Sequence, residues 1–502
     1  MEILLSAFCL YLLWVSYKIY RTFLANRGQP ALPPGPPPLP VIGNLLSLSR
    51  LPHRSLHNLS LTYGPILKLS LGRVTTVVVS SPSLAREILQ THDSCFSNRF
   101  VPDALTALDH HHLGLGFLPI SPLFKTLRKI CNTHVFSARK LDGNRHLHRE
   151  QVRQLIEEVA ACVPDGRAVN IGEASFQTTL NLLANTVFSV NMAAFNSNLI
   201  AELKELVKNL LTDAGKPNVA DYFPVLKRWD PQGMRRKMEA NYGRLFVILD
   251  EMVGKRTEAR MESGEQRQGD LLETLLEICQ GSEAEVNIVV IKHLILDFFV
   301  AGTDTTTNTL EWAMTELLLN PEKLSKVQYE LRNVIDHGQL VEESDLNRLP
   351  YLQAVIKETF RLHPAAPLLI PRIAGEDKPV GGYLIPKGAQ VLVNVWAMGR
   401  DPCIWGKTAG EFIPERFLGS EIDLKGHHFE LLPFGSGRRI CPGLPLAVRM
   451  LHMMLGSLLS NFDWKLEDRI AIDTDEHFGL SVQKAQPLKA VPMLLPKNPI
   501  II

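Results

Sequence analysis

The 502-residue sequence predicts a mainly α-helical fold with a small β part. From residue 147 to residue 334, apolar residues mostly recur at the spacing of long amphipathic helices. Short apolar and β-branched runs at residues 66–71 and 74–80, and again at 383–386 and 390–395, predict a few strands. Hydrophobic residues make up 45% of the chain, which supports a large buried core in one large domain or a few average ones.

The first 24 residues predict a membrane anchor. Residues 3–17 are almost continuously apolar, and Lys18 and Arg21 follow them. The long Lys18 side chain can reach the membrane surface, which extends the predicted span to about residue 24. Glu2 does not suit a cleaved signal peptide, and cations on the C-terminal side keep the rest of the chain in the cytosol. We therefore expect a retained single-pass transmembrane helix, with the bulk of the chain in the cytosol.

A proline-rich segment separates this anchor from the rest of the chain. Seven prolines lie between residues 30 and 40, which predicts a stiff, polyproline-like spacer. The predicted organisation is an anchor at 1–24, a hinge at 25–40 and a catalytic domain at 41–502. The net charge of +1 gives no reason to expect nucleic acid as a partner. The seven scattered cysteines indicate a reducing compartment without a disulfide framework.

Residues 434–443, with the sequence FGSGRRICPG, place one cysteine in a glycine-rich turn before a predicted helix. Pro442 suits the first helical position, so Cys441 stands at the positive end of a helix dipole with arginines nearby. These surroundings favour a thiolate, which serves as a metal ligand or a nucleophile. A nucleophilic cysteine would need a histidine partner, and His427 and His428 are not at a diagnostic spacing. A zinc site would need further cysteine or histidine ligands close by, and Cys403 is far away in the sequence. A single protein thiolate suits haem.

The predicted helix Ile288–Leu319 contains a run of residues that form helices poorly. Residues 301–307, AGTDTTT, include a glycine and three consecutive threonines in an otherwise apolar helix. Threonines that bond back to their own helix would explain this run, and so would a functional site. Ala301 and Thr305 are four residues apart and therefore share one face of the helix.

Glu358 and Arg361 carry opposite charges three residues apart on a predicted helix. Such a pair is usually exposed and weak. Apolar residues surround this pair in the sequence, and a buried pair requires a further partner. Arg416, in the sequence Pro-Glu-Arg-Phe, could supply it. In contrast, the run Asp109-His110-His111-His112 predicts a solvated loop, because adjacent histidines cannot easily bind one metal ion.

Taken together, these segments resemble the cytochrome P-450 monooxygenases. The cysteine loop matches their haem signature at Phe434, Gly437, Arg439, Cys441 and Gly443. Residues 299–318 and 429–446 are similar to the plant microsomal branch that includes geraniol hydroxylases and diterpenoid hydroxylases. The resemblance implies the cytochrome P-450 fold and haem b, iron protoporphyrin IX, with an axial cysteine thiolate. It also implies O2 as a substrate, NADPH–cytochrome P-450 reductase as the electron donor, and location in the endoplasmic reticulum membrane.

The resemblance also implies which residues form the site. It assigns Thr305 to cleavage of the oxygen–oxygen bond and Asp304 to a proton relay. The residues that it implies around the haem are Cys441, Arg128, Arg372, Arg439, Phe434, Gly437 and Ala301, of which Cys441 binds the iron. Those that it implies as structural supports are Glu358, Arg361 and Arg416. Those that it implies for the substrate pocket are Ala301, Ala366, Leu368, Leu369 and Leu480.

One position departs from the family pattern. Relatives carry a tryptophan four residues before the arginine that corresponds to Arg128, and this chain has Phe124 there. The indole N–H is therefore lost, and we expect the haem propionates to depend more on the arginines than they do in relatives.

The predicted function is hydroxylation of a lipophilic small molecule, with a mono- or diterpenoid as the expected substrate and an alkaloid or phenolic as the alternative. Two other classes remain. A haem-thiolate isomerase or dehydratase would act on an oxygenated lipid without a reductase, but such enzymes tend to lack the threonine. A non-enzymatic haem sensor would leave the cavity-forming segments and the proton relay without a purpose.

Overall fold

Helices dominate the computed structural model, which describes residues 30–188, 197–263, 271–280, 286–467 and 472–495. The predicted anchor at 1–24 and the first residues of the hinge lie outside these ranges. Within the described ranges, none of the helices has the length and apolar character needed to cross a membrane.

The α-helices in chain order are α1 (Pro52–Tyr63), α2 (Pro82–Arg86), α3 (Asp93–Phe96), α4 (His110–Leu113), α5 (Pro122–Ile130), α6 (Ala138–Gly143), α7 (Arg145–Ala160), α8 (Ile171–Phe188), α9 (Ser197–Ala214), α10 (Val219–Tyr222), α11 (Met234–Ser263), α12 (Leu271–Gln280), α13 (Ile288–Leu319), α14 (Pro321–Val334), α15 (Pro350–Leu362), α16 (Val395–Met398), α17 (Pro402–Trp405) and α18 (Leu444–Asn461). Short 3-10 segments lie at Leu45–Ser47, Asp103–Asp109, Pro224–Leu226, Glu343–Arg348, Pro414–Phe417 and Gly437–Arg439, and π segments at Glu87–Thr91 and Cys131–Val135.

The strands are β1 (Ile66–Leu71), β2 (Val74–Val79), β3 (Val169–Asn170), β4 (Arg372–Ile373), β5 (Lys378–Val380), β6 (Tyr383–Ile385), β7 (Gln390–Val393), β8 (Phe462–Leu466), β9 (Glu476–Phe478), β10 (Val482–Lys484) and β11 (Lys489–Leu494). They form a four-stranded sheet in the order β1-β2-β7-β4, a three-stranded sheet in the order β3-β11-β8, and the pairs β5-β6 and β9-β10. The prediction of a mainly α fold with a small β part is therefore confirmed.

The long helix α13 runs through the centre of the hydrophobic core and packs against α8, α15 and α18. It begins where the Asn287 side chain accepts hydrogen bonds from the amides of Val289 (3.0 Å) and Val290 (3.1 Å), and it ends before Pro321. This N-cap satisfies donors that the first helical turn leaves free. Because α13 is packed on several sides, residues 301–307 lie deep inside the protein.

Glu358 and Arg361 form a buried ion pair on α15, with 2.6 Å between Arg361 Nε and Glu358 Oε2 and 2.7 Å between Arg361 Nη2 and Glu358 Oε1. Arg416 Nε lies 3.3 Å from Glu358 Oε1. Arg361 also donates to the backbone carbonyls of Ala409 (2.6 Å) and Glu411 (2.8 Å). The three residues that the sequence analysis named are thus in contact. They connect α15 to residues 409–416, which precede the loop that carries Cys441.

Candidate active site

A cavity of about 300 Å³, partly open to solvent, lies between α13, α5, the start of α18 and the loop that carries Cys441. This volume lies at the lower end of the roughly 300–1,000 Å³ that is typical of a site for a small ligand. Most of its wall is apolar, and arginines contribute most of the charge. The cavity therefore has the size and the mainly apolar wall of a binding site for organic ligands.

Cys441 is the only cysteine of the described ranges that lines this cavity. Its backbone amide donates to the carbonyl of Phe434 at 3.0 Å, which closes the turn just before α18. Burial raises the pKa of the Cys441 thiol, while the amides of Gly443 and Leu444 and the Arg128 guanidinium lower it. The helix-start amides and the nearby cation oppose the effect of burial, so this thiol can serve as a thiolate ligand to a metal ion that lies in the cavity.

Of the two arginines that precede Cys441 in the sequence, Arg438 does not lie beside the thiol. Arg438 points away to the surface, where its Nε lies 3.2 Å from Asp93 Oδ2 and its side chain is 56% exposed. The cation that acts on the thiol is Arg128 of α5, whose Nη1 donates to the carbonyl of Ile440 at 2.7 Å. Arg128 therefore holds the cysteine loop as well as facing the cavity.

Four arginines line the cavity: Arg99, Arg128, Arg372 and Arg439. Burial is the largest effect on each of them and lowers their pKa values, that of Arg439 to about 10. Repulsion from Arg372 lowers the pKa of Arg99 and of Arg439 further, whereas Asp93 acts in the opposite direction. Buried guanidinium groups need anionic partners. Asp93 already pairs with Arg372 at 3.2 Å, so the cluster fits a ligand that brings further carboxylates to the other arginines in this part of the cavity.

Arg99 gives the most direct evidence for such a ligand. Its Nη1 donates to the carbonyl of Ile370 at 2.8 Å, but its buried Nε has no hydrogen-bond partner in the protein. An unsatisfied buried donor on a charged group is costly unless a ligand supplies the acceptor. A haem would fit these features, because Cys441 could bind its iron and the arginines could hold its two propionates. Ala301, exposed to the cavity, leaves room for the macrocycle.

Arg99 was missed in the sequence because a single arginine in a loop carries no distinguishing pattern. Its position follows from a bridge between its backbone and that of Arg372, which lies far away in the chain.

We expect Arg99→Leu to release haem roughly tenfold faster, since it removes a charge-assisted hydrogen bond. The measurement is the rate of haem transfer to a scavenging apoprotein. The exposed Arg139→Leu serves as a control, and a wild-type rate in Arg99→Leu would rule out this role.

Phe124 lies in the cavity wall and contacts one of these arginines. The guanidinium carbon of Arg439 lies 4.2 Å from the centroid of the Phe124 ring, which is cation–π geometry. Arg439 also donates through Nε to the carbonyl of Ser97 at 2.8 Å, and through Nη2 to that of Leu118. Phe124 thus lacks the hydrogen-bond donor of a tryptophan, but the face of its ring makes a cation–π contact with Arg439.

Three of the residues named in the sequence analysis, Phe434, Ala366 and Leu369, lie in the cavity wall. Three other predicted residues, Gly437, Leu368 and Leu480, lie outside it.

The structure shows where each of these three residues lies and what surrounds it. Gly437 has φ +71°, and a Cβ there would come within 2.1 Å of the Leu89 carbonyl oxygen, so only glycine fits behind the loop. Leu368 packs in a separate apolar cluster with Leu56. Leu480 is at the exposed turn between β9 and β10. Their predicted ligand contacts would therefore have to be indirect.

Thr305 and Asp304 point in different directions. Thr305 lines the cavity, and its hydroxyl donates to the carbonyl of Ala301 at 2.8 Å. Asp304 lies outside the wall and accepts hydrogen bonds from Ser481 and from Gln483 Nε2 (2.7 Å) on the β9–β10 hairpin side. Burial raises the pKa of Asp304, and these hydrogen bonds lower it. A proton relay through Asp304 would have to involve these partners or a change of side-chain conformation.

The prediction of a solvated loop for the histidine run is wrong for His110. This side chain is buried on the short helix α4, and its Nδ1 lies 2.8 Å from Nδ1 of His293 on α13. The prediction failed because His293 is far away in the sequence. Within the described ranges, no group of three or more histidine, cysteine, aspartate or glutamate residues could hold a metal ion.

Comparisons with known proteins agree with this geometry. Residues 33–490 match the family described as cytochrome P450. The chain is 48% identical over 481 residues to geraniol 8-hydroxylase of Catharanthus roseus, covering 95% of this chain and 97% of that protein. It is 47% identical over 474 residues to ferruginol synthase of Isodon rubescens, covering 94% and 96%. A zebra fish cytochrome P450 structure with progesterone is similar with a TM-score of 0.74 and 27% identity, covering 88% of this chain and 99% of that one.

Proposed function

Since the chain belongs to the cytochrome P450 family, we propose a specific monooxygenase function for it. It is a monooxygenase whose cofactor is haem bound by a cysteine thiolate. We propose that it hydroxylates a lipophilic terpenoid, a mono- or diterpenoid, with O2 and with electrons from NADPH–cytochrome P450 reductase. The observation that carries this proposal is the cavity, where one cysteine and four arginines accompany an otherwise mainly apolar wall.

Two features support the terpenoid as substrate. The two plant relatives reported above are named for terpenoid reactions, and each matches nearly the full chain. Besides Thr305, the cavity wall contains the apolar residues Ala301, Ala366 and Leu369. A mainly apolar wall stabilises a hydrocarbon skeleton by removing its surface from water.

The residues of this chain take separate parts in the reaction. Haem, when bound, would supply the activation of O2, and a thiolate ligand would favour cleavage of the oxygen–oxygen bond. In the proposal Cys441 is that thiolate, and Arg99, Arg128, Arg372 and Arg439 hold the propionates. To position a proton for the oxygen that reacts in the cavity, the Thr305 hydroxyl would turn away from the Ala301 carbonyl, to which it donates its single proton in this structure. Asp304 stabilises the α13 segment and connects it to Ser481 and Gln483.

We further propose that the protein is anchored in the endoplasmic reticulum membrane by residues 1–24, with the hinge at 25–40 and a cytosolic catalytic domain at 41–502. The apolar run at 3–17 and the cations after it support this topology. A cytosolic domain could take electrons from a reductase on the same membrane surface.

The test uses microsomes that contain the full chain, with and without the reductase, and panels of terpenoids, alkaloids and phenolics. We expect product from a terpenoid only when NADPH, O2 and reductase are all present. Formation of product without the reductase would contradict a reductase-dependent monooxygenase reaction. Product from alkaloids or phenolics alone would contradict the substrate class.

Within this assay, Thr305→Ala should keep NADPH consumption but lower product per NADPH by about tenfold or more, because a positioned proton donor is lost. The missing product should appear as hydrogen peroxide. Thr315→Ala is the matched control, since Thr315 lies on the same helix and donates to the carbonyl of Glu311 at 2.7 Å but does not line the cavity. Full coupling in Thr305→Ala would contradict the role of this hydroxyl.

A further inference from the structure

Asp297 is the only acidic side chain among the described residues that line the cavity. It lies on α13 one turn before Ala301, and its side chain is 19% exposed. The haem-binding features described above make no use of it. A carboxylate in a mainly apolar substrate cavity is costly to bury unless something hydrogen-bonds to it.

Two protein groups, the His110 side chain and the Gly116 amide, contact the Asp297 carboxylate. His110 Nε2 lies 3.2 Å from Asp297 Oδ1, and the Gly116 amide donates to Asp297 Oδ2 at 3.3 Å. Each carboxylate oxygen can accept two hydrogen bonds, so one position on each oxygen is left over. These two contacts fix the direction of the carboxylate and leave it able to accept from a ligand.

The proton positions of the histidine pair are consistent with Asp297 as an acceptor. Burial and the neighbouring His110 lower the pKa of His293 to about 4, so His293 is neutral at neutral pH. If His293 Nδ1–H donates across the 2.8 Å contact, His110 accepts at Nδ1 and carries its proton on Nε2. His110 Nε2–H then donates to Asp297.

The His110 ring is itself held firmly. A Cβ at position 114 would come within 2.4 Å of the ring, so Gly114 allows the backbone to close over it. The Tyr242 ring lies 5.1 Å from the His110 ring, and the His293 ring lies at the same distance. An orienting group that cannot move gives a binding site of fixed geometry.

We propose that Asp297 is a specificity-determining residue that accepts a hydrogen bond from a substrate hydroxyl, so that the substrate is a terpenoid alcohol. This inference rests on the proposed function and deepens it. The rise of the helix from Asp297 to Thr305 is about 12 Å. The carbon that is hydroxylated is therefore remote from the hydroxyl that Asp297 holds, and the product is a diol.

The test compares two ligands with one carbon skeleton, a monoterpene alcohol and its methyl ether, which cannot donate a hydrogen bond. Binding is measured at equilibrium from the spin-state change of the haem absorbance in the full-length holoprotein. The wild type should bind the alcohol roughly tenfold more tightly than the ether, as expected for a hydrogen bond to a charged acceptor. Asp297→Leu should abolish this preference.

Further variants guard against a folding defect. Asp297→Asn keeps one acceptor oxygen and should retain part of the preference, and His110→Phe should weaken it by releasing the carboxylate. His112→Ala, on the exposed side of α4, should keep the full preference. The Soret band of the reduced CO complex reports whether each variant retains its haem site.

The outcomes separate the inference from the proposed function. Equal binding of alcohol and ether by the wild type, or an unchanged preference in Asp297→Leu and Asp297→Asn, overturns the role of Asp297 but leaves the monooxygenase intact. Failure of every terpenoid to bind the wild type overturns the proposed substrate class and this inference with it.

Discussion

Replacing Glu358 with leucine should lower the yield of folded, haem-containing protein by more than tenfold. The Glu358 and Arg361 side chains are both fully buried, and the Arg416 guanidinium also faces Glu358 Oε1. Loss of the carboxylate leaves a buried guanidinium without an anionic partner, which costs about 3–5 kcal/mol. A domain is stable by only about 5–15 kcal/mol, so this single change removes a large share of its stability.

Two comparisons show whether the charge imbalance is the cause. Glu358→Leu combined with Arg361→Met should recover part of the lost yield, because the double variant no longer buries an unpaired Arg361. Glu157→Gln removes an exposed carboxylate that pairs with Arg153 four residues away and should change nothing measurable. Yield is read from the reduced CO spectrum, and stability from denaturant unfolding. A wild-type yield of Glu358→Leu would contradict the structural role of the triad.

The second large effect concerns catalysis. Cys441→Ser should reduce product formation to background in the reductase-dependent assay. A serine hydroxyl does not ionise as a thiol does, so under the proposed assignment the variant would lack the anionic ligand that promotes oxygen–oxygen bond cleavage. Hydroxylation depends on that cleavage, and the other cavity residues cannot substitute for it.

Cys131→Ala is the matched control for this loss. Cys131 is a buried cysteine whose thiol pKa is raised to about 12 by burial, and it does not line the cavity. Its replacement by alanine should therefore leave product formation close to wild type. Product above background in Cys441→Ser would contradict the catalytic role of this thiolate.

The parts that could be predicted from the sequence depend on short-range spacing. The turn around Cys441, the position of Thr305 on a long helix and the pairing of Glu358 with Arg361 involve residues within about one or two turns of one another. Local geometry fixes which side chains can meet at such distances. The two strands of the first hairpin were predictable for the same reason, as β1 and β2 are adjacent and antiparallel.

The parts that could not be predicted depend on contacts between distant segments. Arg99 joins the arginine cluster only because its backbone bridges to Arg372, and His110 reaches Asp297 only because α4 packs on α13. The direction of Asp304 is set by Ser481, far along the chain. A single sequence gives no pattern for such pairs. The resemblance assigned Asp304 to a proton relay, but it gave no information about the direction of the Asp304 side chain.

The position of the Soret band in the reduced CO complex tests most directly whether Cys441 supplies the haem thiolate. The band should be red-shifted in the wild type and in Cys131→Ala, and this shift should be absent in Cys441→Ser. Survival of the red-shifted band in Cys441→Ser, or its loss in Cys131→Ala with the fold intact, would contradict the assignment of the ligand.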